Sequence, residues 1–363
     1  MNPNRYRVID ADGHLIESIP ELAEFMDPGI REIALHPGRN RQGVFPSLDG
    51  MHYRPPSEDA AIKGRRLVRA SSGRAGSAED YGAFLDQVGI AEAVLFTSEG
   101  LSVGFIQLAD YAVRLCRAYN DYVAERYRKL DRRLHPMALV PLQNLEAAVA
   151  ELRRAVLELG LPGAMLPSTG LPLHLGHPYY HPFYAAAADL GAVLAVHGGS
   201  NRGVGLDTYQ NFFASHVLHH PIPLMVALTG MLFEGVLDRY PVKVAFLEGG
   251  VGWVVTLLDR IARDFEIYGP GILRRSLPEY LASGQILIGC EGNDHSLPYL
   301  VKEVGIEPFA YSSDYPHEAD VLDAQREIGE TLESTALSEA QKRALLGENA
   351  ARFFNLSQNQ EEA

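Results

Sequence analysis

The chain has 363 residues, 47% hydrophobic and 21% charged, which supplies ample core-forming side chains and argues against disorder. Its net charge of -14 and a pI near 5.4 argue against a nucleic-acid or anionic-membrane partner, since both want a basic footprint. Two cysteines, Cys116 and Cys290, cannot build a disulfide framework and read as buried thiols.

The segment Met1 to Arg7 lacks the apolar core of a signal peptide. No apolar run is expected to approach the roughly 20 residues of a membrane span, so the chain is read as cytoplasmic. The first strand is Val8-Ile9-Asp10-Ala11-Asp12-Gly13-His14, a β-branched run ending in polar residues. Strand side chains alternate, which places Asp10, Asp12 and His14 on one face. Carboxylate oxygen and imidazole nitrogen together are half of a divalent-metal site; the other half has to come from elsewhere in the fold. Residues 15–77 are rich in Pro, Gly and charge and read as a long loop insertion over one end of the fold. Arg54, Lys63, Arg65, Arg66, Arg69 and Arg74 form a basic cluster there, either plain solvated surface or a grip for an acidic substrate.

A regular alternation begins at residue 79. A helix over 78–88 closes on Gly89 and leads to a second strand at Ala93-Val94-Leu95-Phe96. A helix over about 105–129 precedes a third strand at 137–140, and a helix over 145–159 precedes a fourth at 164–166. The helix 182–190 leads to a fifth strand ending at His197, and a helix over about 221–239 leads to a sixth ending at Glu248. The helix through Trp253, Leu257 and Ile261 precedes a seventh strand at 285–291, and residues 297–304 precede an eighth, Phe309 to Asp314. Terminal helices over 321–333 and 338–354 and a polar tail, 357–363, complete the chain.

Eight strand-helix alternations predict a parallel (β/α)8 TIM barrel as a single domain over residues 1–356. An open doubly wound sheet predicts a Gly-rich phosphate loop after the first strand, and none is there. Barrel closure brings all C-terminal strand ends to one mouth, gathering Asp12, His14, His197, Glu248 and Asp314.

The chain resembles the amidohydrolase-related family of metal-dependent barrel enzymes that includes aminocarboxymuconate-semialdehyde decarboxylase and γ-resorcylate decarboxylase. The carriers are Asp10 to His14, Ala118-Tyr119-Asn120-Asp121, Ala195-Val196-His197-Gly198, Phe233 to Pro241, Ser312 to His317, and Glu348 to Phe354. Carried over position by position, the resemblance implies Asp12, His14, His197 and Asp314 as ligands of one divalent ion, Zn²⁺ or Mn²⁺, the carboxylate at position 12 tilting away from Zn²⁺. It further implies a homo-oligomer, a dimer or more.

One position departs: where the decarboxylases carry a strand-six histidine, this chain has Glu248, whose bland reading is a salt bridge with a nearby Arg. The leading expectation is a metal-dependent decarboxylase of a small aromatic or unsaturated carboxylic acid, with Asp314 or Glu248 delivering the proton. The alternative is a metal-dependent hydrolase of an ester, lactone, amide or activated carbon-carbon bond at the same site. Arg202, His220 and His317 are the candidate substrate contacts. His219 is the other histidine before Pro221, Glu291, Asp294 and Glu318 flank the mouth, and Trp253 is read as packing.

Overall fold

Among the described residues nine parallel strands follow one another: β1 (Val8–Leu15), β2 (Ile90–Thr97), β3 (Leu134–Pro136), β4 (Ala138–Leu139), β5 (Gly163–Pro167), β6 (Val193–His197), β7 (Lys243–Leu247), β8 (Ile286–Cys290) and β9 (Phe309–Tyr311). The computed structural model describes residues 6–35, 44–46, 76–198, 202–206, 208–209, 212–269, 271–292, 294–317 and 319–356. Each strand pairs with its sequence neighbour, in the orders β1-β2-β3 and β4-β5-β6-β7-β8-β9. The predicted third strand is a single barrel strand in two pieces: Pro136 offers no N–H to a ladder, while the N–H of Met137 still reaches Leu95 O at 2.8 Å. The barrel closes between its ends, where Asp314 N–H donates to Asp12 O at 2.9 Å and His14 N–H to Tyr315 O at 2.7 Å. Strands and connecting helices thus form the expected parallel barrel, its strands buried on both faces.

Local chemistry sets the helix ends. Ser77 caps Ala78–Val88 by accepting from Asp80 N–H at 3.1 Å, and Gly89 ends it at φ 87°. Asn144 caps Leu145–Leu157 through Ala147 N–H at 3.1 Å. Three predicted elements differ. The helix over 105–129 is a 3₁₀ segment, Glu99–Phe105, then Ala109–Val123 and a π-helical turn, Ala124–Arg128. The helix over 221–239 breaks after Phe233, because Gly235 turns left-handed at φ 72° before Val236–Arg239. Within 15–77, β1 runs on to Leu15 and two short helices follow, Ile19–Glu24 and Pro28–Leu35, burying Leu22, Ala23, Met26 and Ile30. The predicted basic cluster, Arg54, Lys63, Arg65, Arg66, Arg69 and Arg74, and the tail 357–363 lie outside the described residues.

The membrane expectation needs one correction. Ala214–Phe233 is helical over 20 residues and apolar enough by composition to cross a membrane. Pro221 divides it into Phe212–His219 and Pro221–Phe233, and the latter buries Leu224, Ala227, Leu228, Met231 and Leu232.

Several motifs prove to be structural staples. The Asn120 side-chain amide completes the edge of β4, accepting from Leu139 N–H at 2.8 Å and donating to Leu139 O at 2.9 Å and Glu151 at 2.7 Å. Asn349 donates to Ile306 O and Phe309 O, both at 2.8 Å, and Arg352 holds its Oδ1 at 2.7 Å. Asp238 accepts from Tyr280 Oη at 2.8 Å and Arg275 at 3.3 Å.

Candidate metal centre

All five strand-end residues meet at the mouth. His14, at the end of β1, turns Nδ1 to Thr97 O at 3.1 Å, which leaves Nε2 pointing inward, 3.6 Å from Asp12 Oδ1 and 3.4 Å from Asp314 Oδ1. A carbonyl on Nδ1 fixes the tautomer whose Nε2 carries a lone pair, as protein metal ligands commonly do. His197, at the end of β6, sets Nε2 3.0 Å from Asp12 Oδ1 and Nδ1 2.9 Å from Glu248 Oε2. Candidate ligand atoms of Asp12, His14 and His197 lie within 4.8 Å of one another, as do those of His14, Glu248, Asp314 and His317.

This is a costly arrangement for a protein to bury unaided. Asp12 Oδ2, His14 Nε2 and Asp314 Oδ1 are all buried without a hydrogen-bond partner. Burial pushes the Asp12 carboxyl above its usual range, an effect that the His197 charge opposes. Burial holds His14 well below the usual imidazole range, with the charges of His317 and His197 adding to it. Burial, then the nearby Glu248 charge, pushes Asp314 well up. For Glu248 burial pulls upward, but the imidazoles of His220 and His197 outweigh it and hold the carboxyl well below its usual range. His197 is the converse: burial would lower it, yet the Asp12 and Glu248 carboxylates raise it well up. A divalent cation among Asp12, His14, His197 and Asp314 would satisfy the orphaned atoms, and the mixed oxygen and nitrogen set fits such an ion.

The remaining predicted residues separate into three groups. His220 and His317 join the site: His220 Nδ1 is 3.4 Å from Glu248 Oε2, and His317 Nδ1 is 3.3 Å from Asp314 Oδ1 and 3.7 Å from Glu248 Oε1. Arg202 lies with its guanidinium over the Phe105 ring, 4.4 Å from the centroid. Asp10 takes another part from the one its position on β1 suggested. A register shift between Asp10 and Gly13 breaks strict alternation, and Asp10 accepts from Ser313 N–H at 2.9 Å and Ser313 Oγ at 2.5 Å. Burial raises Asp10 to about 6. Asp294 braces the turn after Glu248, accepting from Val251 N–H at 3.3 Å and Glu291 N–H at 3.1 Å. Trp253 packs on Phe246 and donates to Gly250 O at 2.8 Å, and Glu318 lies outside the described residues. Glu248 therefore faces three imidazoles rather than the arginine that a salt-bridge reading called for.

Two contributors were not visible in the sequence. Ser98, after β2, meets His317 Nε2 at 2.8 Å. Glu17, buried behind it, accepts from Thr97 Oγ1 and from the N–H groups of Ser98 at 3.3 Å, Glu99 at 3.1 Å and Gly100 at 3.3 Å, fixing the turn that carries Ser98. No spacing or motif marks either one; only the closed barrel brings β1 and β2 loops together.

A family model described as Amidohydrolase matches residues 9–356. The chain is 28% identical over 257 residues to a 2-amino-3-carboxymuconate-6-semialdehyde decarboxylase of Dictyostelium discoideum, covering 68% of each chain. It is 24% identical over 288 residues to a γ-resorcylate decarboxylase of Rhodococcus jostii, covering 73% of this chain and 84% of that one. Among solved structures, an amidohydrolase of Mycobacterium avium subsp. paratuberculosis superposes with a TM-score of 0.76 at 19% identity, over 97% of this chain and 99% of that one. A 5-carboxyvanillate decarboxylase of Novosphingobium aromaticivorans, complexed with manganese and 4-hydroxy-3-methoxy-5-nitrobenzoic acid, gives 0.68 at 20% identity, over 98% of this chain and 100% of that one.

Proposed function

The chain belongs to the amidohydrolase family, and from that membership we propose that it is a metal-dependent decarboxylase of a small aromatic or unsaturated carboxylic acid. Asp12, His14, His197 and Asp314 would hold one divalent ion, Mn²⁺ or Zn²⁺, with the two carboxylates favouring the harder Mn²⁺. When bound, that ion supplies Lewis-acid polarisation and a template for the substrate's carboxylate and a neighbouring oxygen.

The observation that carries the reading is the division of labour between the two mouth carboxylates. Glu248 is committed as an anion to His197, His220 and His317, through contacts of 2.9, 3.4 and 3.7 Å. That anchoring orients the imidazoles and leaves Glu248 poorly placed as a general base for water. Before any cation binds, burial and the adjacent Glu248 anion both oppose ionisation of Asp314, whose Oδ1 is buried without a hydrogen-bond partner. Of the two mouth carboxylates it is the one not committed to three imidazoles, and it is assigned the proton. In the proposed reaction Asp314 protonates the carbon bearing the carboxylate; the bond to that carboxylate then breaks, CO₂ leaves, and the bonding pair returns to the ring or unsaturated system. His317 and His220 stand at the edge of the same cluster, where an anionic substrate would meet them. The decarboxylase names of the two curated relatives support this reading.

The test is CO₂ release across a panel of ortho-hydroxylated benzoates and unsaturated carboxylates by the Mn²⁺-loaded protein. Stoichiometric CO₂ that disappears in Asp314→Asn is the expected result. Product formed without CO₂, carrying oxygen-18 from labelled water, would overturn it in favour of hydrolysis.

A further inference from the structure

Beside the candidate centre, the Phe212–His219 helix ends in a second concentration of imidazoles. His216, His219 and His220 stand at i, i+3 and i+4, a spacing that puts them on one face, and one ring nitrogen from each lies within 4.8 Å of the others. His219 Nε2 and His220 Nε2 are only 2.7 Å apart. At that distance two imidazole nitrogens have either a shared N–H or a bound ion between them. The surroundings of the opposite nitrogens bear on whether a metal can take that place. His220 Nδ1 looks at Glu248 Oε2 from 3.4 Å, and His219 Nδ1 at Ser215 Oγ from 3.5 Å. An imidazole that directs Nδ1–H to an oxygen, above all a carboxylate, presents the Nε2 lone pair outward, the arrangement that protein metal ligands favour. The cluster is also partly shielded, with His219 buried and His216 and His220 half-buried.

We propose that His216, His219 and His220 form a second divalent-metal site, built of nitrogen alone and joined to the candidate centre through Glu248. His220 then acts as a ligand, and its Nδ1, 3.4 Å from Glu248 Oε2, is placed to become the outer link of a carboxylate–histidine–metal chain. The donor chemistry separates the two sites. The candidate centre mixes carboxylates with imidazoles and suits Mn²⁺ or Zn²⁺, whereas three imidazoles select borderline ions such as Zn²⁺ and bind Mn²⁺ poorly. Tetrahedral zinc with bonds of about 2.0–2.1 Å sets its ligands roughly 3.3 Å apart, so His219 and His220 have to part by only about half an ångström. Three histidines leave the fourth position for water or an oxygen of an anionic ligand. This inference shares no metal ligand with the decarboxylase reading and does not rest on it.

The experiment is a metal titration of the demetallated full-length protein by isothermal calorimetry, with bound metal counted by mass spectrometry. Wild type is expected to take two equivalents of Zn²⁺ but one of Mn²⁺. His216→Ala and His219→Ala should each abolish the second Zn²⁺, or weaken it beyond the roughly 100-fold that losing an outer partner costs, while keeping Mn²⁺ binding. Asp12→Ala should do the reverse, losing Mn²⁺ and keeping the triad's Zn²⁺. Cobalt supplies an independent readout: the intense visible absorption of low-coordinate Co²⁺ should be present in Asp12→Ala and absent in His216→Ala. A single Zn²⁺ equivalent in wild type, or a second equivalent that survives both triad substitutions, overturns the proposal. If His219→Ala fails to fold by circular dichroism, the half-buried His216→Ala decides alone. Loss of Mn²⁺ binding in none of the variants would count against the candidate centre and leave the triad result standing.

Discussion

Gly13 sits between Asp12 and His14, and its replacement by alanine probes how closely the first strand is built around the site. A Cβ at Gly13 would stand 1.8 Å from Tyr81 Oη, 3.0 Å from Tyr81 Cζ and 3.2 Å from Asp10 Oδ2. Tyr81 cannot simply swing away. It is fully buried on Ala78–Val88 and is held edge-on by Phe84 and Tyr315, each with ring centroids 5.6 Å distant. The strand has to move instead, carrying both candidate ligands with it. Overpacking of this kind costs about 1–3 kcal/mol, and Gly13→Ala is expected to lose that much stability in denaturant unfolding and to bind Mn²⁺ more weakly. Tyr81→Phe supplies the control. Its Oη is buried with no hydrogen-bond partner, so removing it costs little, yet it deletes the atom responsible for the worst overlap. The double substitution should therefore recover about 1 kcal/mol or more relative to the sum of the single effects. Strict additivity, or a Gly13→Ala protein as stable as wild type, would refute the steric account.

Three other outcomes follow from particular contacts. Glu248→Gln should lower kcat by roughly 10²-fold while retaining Mn²⁺, since His317, held at about 10 against burial by Asp314 and Glu248, loses part of its support; loss of the metal instead would make Glu248 a ligand. Asn120→Ala strips both backbone groups of Leu139 of their partner and should cost about 3–5 kcal/mol in chemical denaturation, and a loss below about 1 kcal/mol would show that water replaces the amide. Glu327 is raised by burial from 4.5 to about 7, so the folded chain holds this proton more tightly than the unfolded chain and stability falls as pH rises between those values. Glu327→Gln should remove that slope, up to about 3 kcal/mol across the window, and unchanged pH dependence would show that the carboxyl is hydrated.

The barrel could be read from sequence because its evidence is periodic and local: apolar runs the length of strands, glycine at helix ends, and helical spacing between them. Asp12, His14, His197, Glu248 and Asp314 could be read for the same reason, since a residue at a strand end is brought to the mouth by topology alone. What could not be read depends on contacts across the closed sheet. Asp10 has the right residue type at the right interval, yet the register shift before Gly13 sends it to Ser313. Ser98 and Glu17 acquire meaning only when the loops after β2 and β1 lie side by side. His219 was visible as one of a pair before Pro221, but its approach to His220 depends on how a helix end turns, which no one-dimensional pattern encodes.

The backbone itself carries one further indication of where chemistry is concentrated. Among the described residues, three other than glycine have positive φ, and two of them are Glu248, at 59°, and Asp314, at 51°. The left-handed region costs an L-residue about 1–2 kcal/mol, so the chain accepts it only where neighbours determine the conformation. They do so at both places. Asp314 donates its N–H to Asp12 O at 2.9 Å and accepts at its own carbonyl from His317 N–H at 2.8 Å. The turn after Glu248 passes through Gly250 at φ 56°, where Asp294 lies too close for a side chain, a Cβ there meeting Asp294 Oδ1 at 2.9 Å. An extended continuation of either strand would aim the next side chains alternately outward and inward along the barrel axis. Just past β7 and β9, the left-handed step coincides with a carboxylate that stands near His317 Nδ1, Glu248 at 3.7 Å and Asp314 at 3.3 Å. The two acids whose ionisation is driven in opposite directions are thus the two that the fold places under strain, and that coincidence ties backbone conformation to the proposed separation of anchoring anion from proton donor.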